Sequence, residues 1–137
     1  MIPIQHGFQP EQLNPVTLAF LGDAVYELLV RTYVVQRGSM SAGKLHQEAI
    51  CFVSAKHQAR AMDALLPMLE EDEKAVYQRG RNANHVKPPK NADPMEYRIA
   101  TGMEALIGYL YLQEKYDRIY ALFDAVIRES DCGGHTV

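Results

Sequence analysis

Leu18-Ala19-Phe20-Leu21-Gly22-Asp23-Ala24-Val25-Tyr26 is the stretch that decides the fold class. It lies inside a run, 16–36, that Asn14 is suited to cap and Pro15 to start, because the first turn of a helix has no use for the N–H that proline lacks. Gly38 is placed to end the run. Val16, Phe20, Val25, Leu28 and Leu29 give this helix a broad apolar surface. The pair Gly22-Asp23 sits badly in its interior. Glycine there costs about 1 kcal/mol against alanine, and the short aspartate side chain competes for backbone groups. A local inconsistency of this kind marks a candidate functional position.

The remainder also reads as helix. A second helix starts near Ser41, with Leu45, Ala49, Phe52, Val53, Lys56, Ala59 and Met62 recurring at three- and four-residue spacing, and Pro67 marks its end or a break. A short third helix over 70–79 opens with acids that suit a positive helix start. Residues 80–92 carry Asn, Gly, Pro and Lys with no apolar period, which predicts a long loop, and loops of that length are functional or disordered. Asp93-Pro94-Met95-Glu96 then combines a cap, a first-position proline and a capping-box glutamate, opening a fourth helix that runs to about 114. Ile119, Leu122, Phe123, Val126 and Ile127 make one face of a last helix over 117–129. With no repeat and no convincing strand, the expectation is an all-α domain over 1–130 and a flexible tail over 131–137.

A chain of 137 residues fits one domain with a real core. The net charge of −3 does not announce a nucleic-acid protein, so any such function must rest on a local basic patch. Cys51 and Cys132 offer no disulfide framework and suit a reducing compartment. Residues 1–9 lack the positive start and apolar run of a signal peptide, and no apolar run reaches membrane-spanning length. The expected setting is a soluble cytoplasmic domain.

A second anomaly matches the first. In Ala100-Thr101-Gly102-Met103-Glu104-Ala105-Leu106-Ile107-Gly108 a lone glutamate stands among glycines in an apolar stretch. Small residues flank both acids, and small side chains allow backbones to approach. If the two helices cross there, Asp23 and Glu104 converge. Two converging carboxylates suit a magnesium ion, which favours one or two carboxylates plus water and phosphate oxygens, and such an ion can activate water against a phosphodiester. The plain alternative is that both acids are exposed or paired with Lys and Arg. The loop and its borders carry Arg79, Arg81, His85, Lys87, Lys90 and Arg98, with Asn82, Asn84 and Asn91 among them. That segment suits phosphate and sugar contacts, although a solvated surface loop reads equally well. His46 and His57, roughly 16 Å apart on one continuous helix at 1.5 Å per residue, are too distant to share a zinc ion. Glu27 and Arg31 are an i,i+4 pair, and Tyr109, Tyr111, Tyr116 and Tyr120 read as core or dimer-face residues. No phosphate-binding glycine loop, nucleotide fingerprint or nucleophile elbow is present.

Phe20-Leu21-Gly22-Asp23-Ala24 resembles the signature helix of the ribonuclease III family, and Glu104-Ala105-Leu106-Ile107-Gly108 with Tyr111-Leu112 resembles the family's second acidic helix. The stretch 45–61 is similar to the helix between them. Arg79-Gly80-Arg81-Asn82-Ala83 and Pro89-Lys90-Asn91 resemble the shortened Mini-ribonuclease III branch. The likeness runs from about residue 14 to 122 in the family's order and spacing. It implies an all-helical catalytic bundle that works as a homodimer on double-stranded RNA. It further implies dependence on Mg²⁺, with Mn²⁺ as a substitute, held by Asp23 and Glu104, and 5′-phosphate, 3′-hydroxyl products. For the Mini branch it implies maturation of the 23S ribosomal RNA precursor. Arg79, Arg81, Asn82, Lys87, Lys90 and Arg98 are then the expected RNA contacts.

The departures from the family pattern are specific. Full-length members carry acids where this chain has Ala19 and Thr101, and another near Ala42; the Mini branch shares their absence, and the reduced set points to one ion per subunit. The family's separate double-stranded-RNA-binding domain is not expected here, so grip must come from the dimer surface and the basic loop. The missing acids also keep open a non-catalytic helical module that binds RNA or ribosomes, and a purely helical interaction domain in which Asp23 and Glu104 are structural.

Overall fold

The computed structural model describes residues 2–38, 40–83 and 87–130. Among them are six α-helices and no strand: α1 Pro15–Gln36, α2 Ala42–Val53, α3 Ala55–Leu65, α4 Glu71–Arg81, α5 Pro94–Leu112 and α6 Tyr116–Arg128, with short 3₁₀ turns at Pro10–Gln12 and Leu66–Met68. The all-α expectation is met. The expected tail over 131–137, and Asn84 and His85 of the expected loop, lie outside the described residues.

The helix starts are set by capping side chains. Asn14 Oδ1 accepts from the Val16 N–H at 2.8 Å, Ser41 Oγ from Lys44 at 3.2 Å, and Asp93 Oδ1 from Met95 at 2.9 Å and Glu96 at 3.2 Å. Glu70 and Glu73 form a reciprocal capping box at the start of α4. Gly38, at φ +127°, follows the end of α1 in a conformation that L side chains rarely adopt.

One boundary differs from the sequence expectation. The predicted continuous second helix is two helices broken at Ser54, whose extended backbone (ψ 146°) closes α2 and whose Oγ caps α3 by accepting from the His57 N–H at 3.2 Å. The break resets the helical register. Past it the buried face is His57, Gln58, Ala61, Met62 and Leu65, while Lys56 of the extrapolated stripe is exposed. His46 and His57 therefore sit on different helices, and His57 is buried with Nε2 hydrogen-bonded to Ser130 Oγ at 3.1 Å. The basic segment is also partly ordered: α4 continues through Arg81, beyond the expected loop boundary. Cys51, half-buried in α2, is disulfide-bonded, which corrects the expectation of no disulfide.

Helix α5 is the centre of the molecule. From Ala100 to Leu110 every residue except Glu104 is buried, as expected of a helix packed on all sides. Helix α1 lies along it, α4, α3 and α6 pack on its other flanks, and Leu18, Tyr26, Phe52, Met62, Met103, Leu106 and Leu110 fill the space between them. The face of α1 that enters this core is Leu18, Ala19, Gly22, Tyr26, Val30 and Val34. Phe20 and Leu28 of the predicted apolar surface point outward instead, 82% and 58% exposed.

Candidate active site

Glycines fix how closely the helices meet. A Cβ on Gly22 would overlap the carbonyl of Glu104, and one on Gly108 would overlap the carbonyl oxygen of Leu18 and stand 3.1 Å from the Gly22 nitrogen. The α1 and α5 backbones are thus in direct contact, which only residues without a side chain permit. Gly80 and Gly102 serve the α4–α5 contact in the same way: a Cβ on Gly80 would stand 2.9 Å from the Gly102 Cα, and one on Gly102 would stand 2.7 Å from the Tyr77 carbonyl oxygen.

The α1–α5 contact sets the two anomalous acids beside each other. Asp23 follows Gly22 and is exposed; Glu104 is the half-buried acid of α5. Asp23 is close enough to act on the ionisation of Glu104. Burial, then the charge of Asp23, push the Glu104 carboxyl up to about 8, opposed by a hydrogen bond from Gln58. Among the described residues, no lysine or arginine is one of the groups that set its ionisation. Two oxygen donors, one driven to keep its proton by burial and then by the other's charge, are a donor set that a divalent cation fits, since the cation removes the repulsion.

Behind this pair lie two buried residues that the sequence did not single out. Tyr26 donates its hydroxyl proton to the Phe52 carbonyl at 3.1 Å, and burial followed by the Glu104 charge pushes its pKa up. Gln58, 2% exposed, donates from Nε2 to the Val53 carbonyl at 3.0 Å. Its sequence signal is a polar residue at three- and four-residue spacing with Ala61, Met62 and Leu65, visible only once the break at Ser54 is known. The positions that lack the family's further acids supply no carboxylate: Ala19 is buried, and buried Thr101 donates its hydroxyl proton to the Tyr97 carbonyl at 2.9 Å. Among the described residues no group of three or more His, Cys, Asp or Glu is placed to hold a metal ion. A cation at Asp23 and Glu104 would therefore complete its shell with water and substrate oxygens.

The basic residues are distributed differently. Arg79 donates to the Glu11 carbonyl at 3.3 Å and the Leu13 carbonyl at 3.0 Å, anchoring the segment before α1. Arg81 lies 5.7 Å from the centre of the Tyr77 ring and donates to Asn82 Oδ1 at 3.2 Å. Lys87 and Lys90 are exposed between α4 and α5, and Arg98 is exposed on α5. Glu27 and Arg31 form the expected i,i+4 pair at 3.1 Å. No described helix is long and apolar enough to cross a membrane.

Comparison with known proteins agrees with this architecture. A family model described as the ribonuclease III domain matches residues 16–115. Proteins named Mini-ribonuclease 3 from Symbiobacterium thermophilum and Enterococcus faecalis are 46% and 45% identical, covering 85% and 87% of this chain and 89% and 92% of theirs. A crystal structure of a Fusobacterium nucleatum protein superposes with a TM-score of 0.78 at 34% identity, covering 85% of this chain and 95% of that one.

Proposed function

The chain belongs to the ribonuclease III family and is an endoribonuclease, and on that footing we propose that it hydrolyses double-stranded RNA at a Mg²⁺ site formed by Asp23 and Glu104. The observation that carries this reading is the meeting of the two carboxylates at the α1–α5 contact, where, among the described residues, no basic side chain is one of the groups that set the ionisation of half-buried Glu104. Without a cation the pair can persist there only while Glu104 keeps its proton. Magnesium, or manganese in its place, would supply charge neutralisation at a phosphodiester and an activated water.

Asp23, the exposed acid, faces the substrate side, and Glu104 supports it from within the fold. Hydrolysis breaks the bond from phosphorus to the 3′ oxygen, leaving a 3′-hydroxyl and a 5′-phosphate. The 2′-hydroxyl is a recognition handle for A-form RNA and takes no part in the attack. Arg79, Arg81, Asn82, Lys87, Lys90 and Arg98 hold phosphates. Arg79 does so with its position fixed by Glu11 and Leu13.

The working form is a homodimer with one site for each strand. Its contact surface is the outer face of α1, which carries exposed Phe20 and whose Leu21, Val25, Leu28 and Leu29 line, with Tyr111 and Tyr120, an apolar groove of about 250 Å³. Solvent-exposed aromatic and aliphatic side chains beside an apolar groove mark a contact surface. The substrate we assign is the 23S ribosomal RNA precursor, processed in the cytoplasm. Incubation of a labelled precursor stem, paired and unpaired, with Mg²⁺ or with chelator tests the reading. Metal-dependent cutting of the paired form, with 5′-phosphate ends, is expected; cutting of the unpaired strand alone would refute it.

A further inference from the structure

Gln58 occupies an unusual position. It is a long polar side chain, 2% exposed, on the core face of α3. Its amide nitrogen donates to the Val53 carbonyl at 3.0 Å, and its side chain reaches Glu104 as the donor that lowers that acid's pKa. Val53 is the last residue of α2, so its carbonyl is among those a helix end leaves without an intrahelical partner. The break at Ser54 thus has a consequence at the acid pair. It exposes one carbonyl of α2 and starts α3 in the register that carries Gln58 beneath Glu104.

The Val53 carbonyl fixes the orientation of the amide. Flipping it would turn Oε1 toward that carbonyl, oxygen against oxygen, and would lose the hydrogen bond. In the observed orientation Oε1 is buried with no hydrogen-bond partner among the described residues. Leaving such an acceptor unpaired costs about 1–3 kcal/mol. An apolar residue of similar length would remove that orphan but would leave the Val53 carbonyl without its donor.

We propose that Gln58 is a positioning residue, whose amide, braced on the Val53 carbonyl, fixes the Glu104 carboxylate in the orientation that receives a divalent cation with Asp23. This rests on the metal reading above. Without the brace, Glu104 is free to rotate about its side-chain bonds and must be ordered again each time a cation binds. Groups that orient a metal ligand in this way are worth about ten- to a hundredfold in metal affinity.

The test uses Mn²⁺ as the probe, with binding followed by electron paramagnetic resonance on the full chain. Wild type is compared with Gln58→Met, which keeps side-chain length without the amide, and with Glu104→Gln. Gln58→Asn, the same amide one methylene shorter, is measured alongside in case the methionine variant does not fold. The expected result is Mn²⁺ affinity weakened about tenfold or more in Gln58→Met and Gln58→Asn. RNA duplex affinity measured in chelator stays at the wild-type value, and cleavage is recovered in large part at high metal concentration. A folded Gln58 variant with wild-type Mn²⁺ affinity, while Glu104→Gln loses binding, overturns the positioning role and leaves the metal site standing. Absence of Mn²⁺ binding by wild type overturns both.

Discussion

Gly22 and Gly108 face each other across the α1–α5 contact, each occupying the space where the other helix's backbone passes. Their mutual fit makes one packing feature responsible both for the fold's centre and for bringing Asp23 to Glu104. Gly22→Ala and Gly108→Ala should each destabilise the protein by about 3 kcal/mol, near the upper end for overpacking because the obstacle is backbone rather than a movable side chain. Gly43→Ala is the contrast: nothing lies within 4 Å of its Cβ position, and replacing a helical glycine there should stabilise by about 0.5 kcal/mol. Chemical denaturation of the three variants reads both signs, and equal effects at Gly22 and Gly43 would contradict the crossing.

A second centre of stability lies away from the acids. Glu73, 4% exposed, takes two hydrogen bonds from Arg118, at 2.9 Å from Nε and 2.8 Å from a terminal nitrogen, while Arg118 also donates to the Met68 carbonyl at 2.6 Å. Tyr109 donates to Asp72 Oδ2 at 2.8 Å. Burial raises the Glu73 pKa, but Arg118 and the Glu70 backbone N–H outweigh it and hold the group below its usual range; the Tyr109 hydrogen bond does the same for Asp72. Both carboxyls are depressed on folding. Their stabilisation is therefore fully present above the ordinary carboxylate pKa near 4 and is lost as pH falls through the lower folded values. Arg118→Met should cost about 3 kcal/mol at pH 7 by leaving Glu73 buried without its partner. Melting measured from pH 7 down to pH 3 should show the gap to wild type narrowing, and a gap that widens would contradict the assignment.

Phe20 tests the dimer. Its 82% exposure, on the helix whose Leu21, Val25 and Leu28 line an apolar groove, is the property of an interface residue. Phe20→Glu should sediment as a monomer with an unchanged helical signal and lose duplex cleavage. A dimer that survives the substitution would place the contact surface elsewhere.

Much of this was legible in the sequence because the signals were local. Asn14-Pro15 and Asp93-Pro94 act through neighbouring backbone groups and place α1 and α5 within a residue or two. Gly22-Asp23 and the glycine-flanked Glu104 stood out as violations of helix propensity, and the contact between their helices explains the glycines. Gln58 was hidden because its role depends on the break at Ser54, where a serine caps a new helix without any proline or glycine to mark it. The outward turn of Phe20 was also hidden. Apolar character does not distinguish a core face from an outward one, and only the packing of α5 on the Leu18, Gly22 and Tyr26 side separates them.

Lys87 and Lys90 are exposed in the segment leading to α5. If they hold phosphates, replacing both with alanine should weaken duplex binding and make the slope of log affinity against log salt shallower by roughly two, one for each phosphate no longer neutralised. Affinity measured at several salt concentrations in chelator decides it, and an unchanged slope would remove both residues from the RNA surface.

The central claim is that Asp23 and Glu104 form the catalytic metal site, and cleavage of a labelled RNA duplex by wild type beside Asp23→Asn tests it most directly. Each protein is assayed with Mg²⁺ and with chelator, and sedimentation and circular dichroism confirm that the variant is a folded dimer. Cutting by wild type with Mg²⁺ only, and none by Asp23→Asn under either condition, is the predicted result. Cutting by Asp23→Asn at the wild-type rate would contradict it.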